Sequence, residues 1–274
     1  MNMHKVWLVF KKDWLEIKRN WQVLMPIIIL PLIFAILFPI IVTLIPSMSS
    51  MQNAGNTNFQ SLIPGLPGDI QLLIMQMTPE QSVVYILILY FFAPMFLIIP
   101  IMASSVIGSD SFAGERERKT IEALLATPIS DSELFLGKIL VSFIPAMIIT
   151  IISFGIYALV VDVITFGMFN GMVLLPNLVW LIMIFGVTPT LALCSIGLTV
   201  IISSKVKGFK EAQQISVVLL LPVLGLVFAQ VSGVMVLGPA VLALLMGVLA
   251  IVDIAVFYVG VETFKREEIL SKPS

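Results

Sequence analysis

Six stretches of this sequence are long and apolar enough to be read as membrane-crossing helices: roughly residues 22–46, 80–107, 134–161, 177–203, 214–231 and 239–261. A helix needs about 20 apolar residues to cross the hydrocarbon core. The polar stretches between these runs are of two kinds. Those around 47–82, 162–175 and 231–239 contain no Lys or Arg, and the remaining four contain all 15. Basic residues are retained on the cytoplasmic side of short loops during insertion. The alternation therefore predicts an all-α polytopic protein of the cell (inner or plasma) membrane, with six spans and both termini cytoplasmic.

Periodicity adds detail at the ends of the runs. In residues 4–21, Trp7, Phe10, Trp14, Ile17 and Trp21 recur at helical spacing, while Lys5, Lys12, Glu16 and Arg19 fall on the other face. That pattern predicts an interfacial helix lying in the headgroup plane. The layout is then a cytoplasmic interfacial helix (1–21), a six-helix transmembrane domain (22–261) and a cytoplasmic tail (262–274). The domain has an external loop at 47–79 and an inner loop at 108–133. The first span carries Pro26, Pro31 and Pro39, each lacking a donor that neighbouring helices must replace, so it is expected to be kinked and buried in the bundle. Thr78-Pro79-Glu80-Gln81 and Ser130-Asp131-Ser132-Glu133 each read as a capping box that opens a span. Around Pro222, Gly225, Gly238 and Pro239, a tight outer hairpin and two half-helices dipping in from outside both fit.

Composition agrees with the pattern and excludes several functions. At 59% hydrophobic and 11% charged residues, the chain lacks the polar surface of a soluble globule. No basic footprint for nucleic acid is present. Cys194 and His4 are the only residues of their types, so no cysteine metal cluster or intrachain disulfide can form, and no metal site is expected. Proteolysis within the membrane would need a His at membrane depth, and His4 lies before the first span.

The most specific chemistry is in the inner loop. Glu115/Lys119 and Arg118/Glu122 stand four apart, and Ile121, Leu124 and Leu125 form an apolar edge ended by Pro128. A short amphipathic helix at the inner surface follows, with paired charges along it; an ordinary solvated loop helix would show the same charge pattern. The run Gly114-Glu-Arg-Glu-Arg-Lys-Thr-Ile-Glu-Ala-Leu-Leu-Ala-Thr-Pro-Ile-Ser130, then Glu133-Leu-Phe-Leu-Gly-Lys138, resembles the inner-loop signature of the type-2 permeases of ATP-binding-cassette (ABC) transporters. The resemblance covers nearly the whole chain, including Ala212-Gln213-Gln214 at the start of the fifth span. It departs at Lys119, where that family commonly has Gly. It implies that Gly114 to Leu125, with Thr120 and Pro128, form a coupling helix that docks on an ATPase subunit. Glu115, Arg116, Glu117 and Arg118 would be its polar contacts, and Ile121, Leu124 and Leu125 its apolar ones. The chain has no G-x-x-x-x-G-K-[ST] phosphate loop, so ATP and Mg are expected on a partner. Two ATPase subunits and a second permease chain, identical or not, are implied, with membrane lipids around them.

Two intramembrane features complete the candidates. Asp253 stands in the last span, where an ionisable group is costly and reads as functional by default. Thr188, Ala192, Ser195 and Thr199 share one face of the fourth span; such a face serves close helix packing or lines a substrate path. The expected function is the permease of an ATP-driven exporter of an amphiphilic or hydrophobic compound or an ion. The alternative is an ATP-independent secondary transporter or channel using Asp253.

Overall fold

A computed structural model describes residues 2–44, 68–120, 127–206, 208–232, 235 and 237–263. Among these residues every regular element is helical. Helix α1 (Met3–Ile17) precedes the first span, α2 (Trp21–Leu44), and a short helix α3 (Gly68–Met75) follows it. The remaining spans are α4 (Pro79–Glu117), α5 (Asp131–Thr165), α6 (Leu178–Ser203), α7 (Phe209–Gln230) and α8 (Pro239–Thr263). Six helices are thus long and apolar enough to cross a membrane.

Both capping boxes form. Thr78 N–H donates to Gln81 Oε1 (2.9 Å) and Gln81 N–H to Thr78 Oγ1 (3.3 Å), and Ser130 and Glu133 exchange the equivalent bonds at 3.1 and 3.3 Å. Helix α7 decides between the two readings of the fifth run. A 3-10 turn at Val217–Leu220 places Pro222 in the first turn of the segment Leu221–Val231, where its missing N–H leaves no internal bond unmade. One continuous span results, followed by a short connection to α8.

Helix α4 is the post of the bundle. Of its most apolar stretch 78% is buried, against 33% for α2 and 6% for α8. The expectation that α2 is enclosed by the bundle is therefore corrected: Val23, Ile27, Pro31, Phe34 and Val42 face protein, whereas Ile28, Leu32, Ile36, Ile40 and Leu44 are exposed.

Three spans widen into π-turns, at Ile33–Leu37, Leu87–Phe91 and Met183–Val187. Each contains the residue four before a proline: Ala35 before Pro39, Tyr90 before Pro94 and Phe185 before Pro189. A proline offers that carbonyl no donor, and its ring collides with it. The widened turn moves the carbonyl aside and opens it to other donors. In α4 the opened turn is met from three helices. The Tyr157 hydroxyl donates to Ile88 O (2.8 Å), Trp180 Nε1–H to Leu89 O (3.0 Å) and the Gln230 amide to Tyr90 O (2.7 Å). Tyr157, Phe154 and Phe96 pack on the Trp180 ring, with Tyr157 stacked at 4.9 Å.

Trp180→Phe keeps this ring packing and removes the donor. It is expected to lower the unfolding free energy in mixed micelles by about 1 to 3 kcal/mol. Phe185→Leu, at an exposed position of the same helix, is expected to change it by less than about 0.5 kcal/mol.

Candidate functional site at the basic end of the bundle

Helix α4 does not end near residue 107. It runs on through a fourth π-turn, Asp110–Gly114, to Glu117, and Asp110 to Glu115 are buried. The surface helix expected to carry Gly114–Leu125 therefore begins as the last turns of a span. No proline causes this widened turn. After Glu117 the chain leaves the helix through Lys119, which holds a left-handed backbone (φ 57°). That conformation costs a residue with a Cβ about 1 to 2 kcal/mol and costs glycine almost nothing, which is why glycine suits this position in the signature the chain resembles.

The left-handed Lys119 also corrects the expected i,i+4 pairing, because Glu115 and Lys119 do not share a helix. Residues 121–126, with Ile121, Glu122, Leu124 and Leu125, lie outside the described residues, and so does the Arg118/Glu122 pair. Thr120 donates its hydroxyl to Glu115 O (3.3 Å). Pro128 O, on the far side of that segment, accepts from Lys5 Nζ of α1 (2.6 Å).

Glu115 joins α4 to α5 and α1. The fully buried Lys138 ammonium lies 2.5 Å from Glu115 Oε2, 2.5 Å from Ser111 O and 3.4 Å from Asp13 Oδ2. Ser111 Oγ donates to Asp13 Oδ2 (2.7 Å), and Lys12 pairs with the other oxygen of Glu115 and, at 3.2 Å each, with Asp13 and Glu16. Carboxylate oxygens of Asp13, Glu16 and Glu115 come within 4.8 Å of one another; the ammonium groups of Lys12 and Lys138 offset most of that charge. Burial by itself raises the Asp13 carboxyl, but the charges of Lys138 and Lys12 and the Ser111 hydroxyl outweigh it and hold it below the ordinary 3.8. Burial lowers the Lys12 ammonium, and Asp13, Glu115 and Glu16 together carry it above its ordinary 10.5.

This network also sets how α1 lies. Val6, Val9, Phe10, Asp13 and Ile17 are its buried face, and Trp7 and Trp21 stay exposed. The expected tryptophan face is thus split, because Asp13 turns the helix towards Lys138. Gly137 permits the approach: a Cβ there would sit 2.8 Å from Val9 Cγ1.

The next residues of α4 reach other helices. Arg116 Nη1 donates to Ser203 O (3.1 Å) and Ser204 O (3.2 Å) at the C-terminus of α6, where a cation suits the helix dipole. Glu117 Oε2 accepts from Phe209 N–H (2.9 Å) at the N-terminus of α7, where an anion does. Arg118 pairs with Asp110 (2.9 Å) across Gly114, and a Cβ on Gly114 would lie 2.7 Å from Asp110 Oδ1. Four helices, α1, α5, α6 and α7, are therefore tied to the last two turns of α4.

The sequence profile of the ABC-2 family transporter proteins matches residues 7–259. The chain belongs to that family. No curated protein matches it. As an ABC-2 permease it is a multi-pass membrane component of an ABC transporter. Within the permease, the polar residues assigned to an ATPase contact are engaged inside the chain, and the side chains that complete their pairs were not read from sequence as partners. In the sequence Lys138 reads as a topology signal, and Asp13 stands out from neither face. The available signals were an acid between Phe10 and Trp14 on an apolar face, and a Lys inside an apolar run.

The intramembrane candidates separate. Thr188, Ser195 and Thr199 are buried. Ser195 Oγ donates to Ile101 O of α4 (3.3 Å), and a Cβ on Gly108 would lie 3.2 Å from Thr199 Cγ2. Ser195 and Thr199 of this face are thus packed on α4. Asp253, by contrast, lines a cavity of about 420 Å³ between α5, α6 and α8.

Lys138→Met leaves Asp13 and Glu115 short of a buried cation and is expected to lower stability by about 3 to 5 kcal/mol. The control is the exposed Lys11→Met, expected to stay within about 0.5 kcal/mol in the same unfolding assay. The pH dependence has a definite sign. Asp13, depressed in the fold, contributes stability above its ordinary 3.8 and loses it as pH falls through its folded value. Lys12, raised in the fold, contributes below 10.5 and loses it only in stronger base. Thermal midpoints of wild type relative to Asp13→Asn are expected to be highest from about pH 5 to pH 10, with the difference shrinking in acid.

Proposed function

We propose that the chain is the permease of an ATP-driven exporter, working with two ABC ATPase subunits that bind ATP and Mg and with a second permease chain. The observation that carries this reading is the set of bonds from Glu115, Arg116 and Glu117 to α1, α5, α6 and α7. The chain leaves α4 at this point, so a force applied just beyond it reaches four other helices through one helix end. In this reading Thr120, Ile121, Glu122, Leu124, Leu125 and Pro128 belong to the surface that meets the ATPase on the cytoplasmic side. Gly114 to Arg118 transmit its movement and are not themselves the contact surface. The permease performs no chemistry of its own, and its apolar spans suit an amphiphilic or hydrophobic cargo taken from the membrane. Export in an ABC exporter also places the basic end inside, as the charge alternation requires.

Leu124→Asp is expected to abolish co-purification of the ATPase subunit from solubilised membranes while the permease remains folded. Arg116→Ala is expected to retain the ATPase and lower cargo-stimulated hydrolysis about tenfold. Full co-purification with Leu124→Asp would remove the docking role, and unchanged stimulation with Arg116→Ala would remove the transmitting one.

A further inference from the structure

A cavity opens beside α8. Its walls are Phe135 and Ile139 of α5, Leu193 and Gly197 of α6, and Phe257 and Tyr258 of α8, all apolar or aromatic, with Asp253 as the one acid among its lining residues. The volume, about 420 Å³, falls in the range that holds a drug-sized ligand. Leu193, Ile254 and Tyr258 are exposed at its mouth, so it opens sideways out of the bundle. Asp253 Oδ1 is buried and has no hydrogen-bond partner, and among the described residues no Lys or Arg pairs with Asp253.

We infer that this cavity is a binding site for hydrophobic cations that enter from the surrounding leaflet. A carboxylate at this depth is costly without a countercharge, and an apolar cavity around it admits a cation only on an apolar body. Phe135, Phe257 and Tyr258 in the lining supply aromatic rings that add cation–π attraction to that of the carboxylate. Depth separates such a ligand from an ordinary lipid amine. Asp253 is seven residues inside Gly260, where the spanning stretch ends, or about 10 Å along the helix. A headgroup amine would have to leave the interface to reach it. A cation carried within a hydrophobic molecule already partitions to that depth. This inference rests on the permease reading for its purpose, since it names the class of cargo, but binding itself needs no ATPase.

The test uses the full-length chain in phosphatidylcholine nanodiscs, with empty nanodiscs subtracted. Tritiated tetraphenylphosphonium is the probe, and tetraphenylborate, of the same shape and opposite charge, is the control. Wild type is expected to bind the phosphonium saturably and the borate not at all. Asp253→Asn is expected to weaken phosphonium binding about tenfold or more. Leu193→Trp, which fills the cavity from an exposed position and keeps the acid, is expected to do the same. Wild-type affinity in either variant, or equal binding of the borate, overturns the site. An ATPase that co-purifies and hydrolyses ATP while Asp253→Asn binds the phosphonium normally would overturn the inference alone. Cation binding by a chain that no ATPase accompanies would overturn the permease reading and leave the site standing.

Discussion

Inside a bilayer no water is available to a carbonyl that has lost its donor, and a helix rich in prolines has several such carbonyls. In α4 that constraint organises the bundle. Pro94 leaves Tyr90 O without its usual donor, the turn before it widens, and Gln230, Trp180 and Tyr157 close on three consecutive carbonyls. The bonds are directional, so each fixes where along α4 its own helix sits. Small-residue packing then adjusts the distance between helices. Gly108 meets Thr199 between α4 and α6, and Gly197 has no room for a Cβ beside Val256 of α8. Lipid tails are as apolar as leucine, so burial alone could not have distinguished one arrangement of these helices from another.

That division explains what was legible beforehand. The number of spans, their capping boxes and the side on which bases collect are local properties, readable from run length, from Thr78 and Ser130, and from the positions of Lys and Arg. The need for side-chain donors onto proline-freed carbonyls was also readable. Which donors answered was not, because Tyr90 and Gln230 are 140 residues apart. The same limit applies at the basic end. Glu115 was recognisable as important from the motif around it, but its i,i+4 neighbour Lys119 looked like its partner, whereas its actual partners, Lys12 and Lys138, come from α1 and α5. Local spacing overstates local pairs when a helix ends between them, and here the left-handed Lys119 ends it. The Thr188, Ser195 and Thr199 face was ambiguous for a different reason. Small polar side chains serve packing and lining equally well, and only the position of α4 against them decides.

The two ends of α4 are held by different physics. Towards Pro79 the bonds are between neutral groups in an apolar setting, with an aromatic stack around them, an arrangement that tolerates little displacement. At the basic end many of the bonds are ionic, partly exposed at Lys12, Glu16 and Arg118, and Asp13 and Glu115 each accept from more than one donor, so a partner of theirs can shift without leaving a charge alone. A bundle built this way is stiff at one end and adaptable at the other, and the adaptable end is the one from which residues 119–128 depart.

The proline-free π-turn at Asp110–Gly114 belongs to that adaptable end. An extra residue in a helical turn rotates everything beyond it by about 100°, and consecutive side chains on a helix are also about 100° apart. Glu115, Arg116 and Glu117 therefore fan outward to three different neighbours: α5 with α1, the end of α6, and the start of α7. Because one backbone carries all three, a rotation of this helix end cannot exchange one contact and spare the others. The charges are also matched to what they meet, a cation on the C-terminus of α6 and an anion on the N-terminus of α7, so the fan fits in one rotational setting only. Were Arg116 turned to the place of Glu117, it would face the positive end of α7, and Glu117 turned the other way would face the carbonyls of α6. The widened turn thus selects a single register for the basic end, in which one helix end is bonded to α1, α5, α6 and α7 at once.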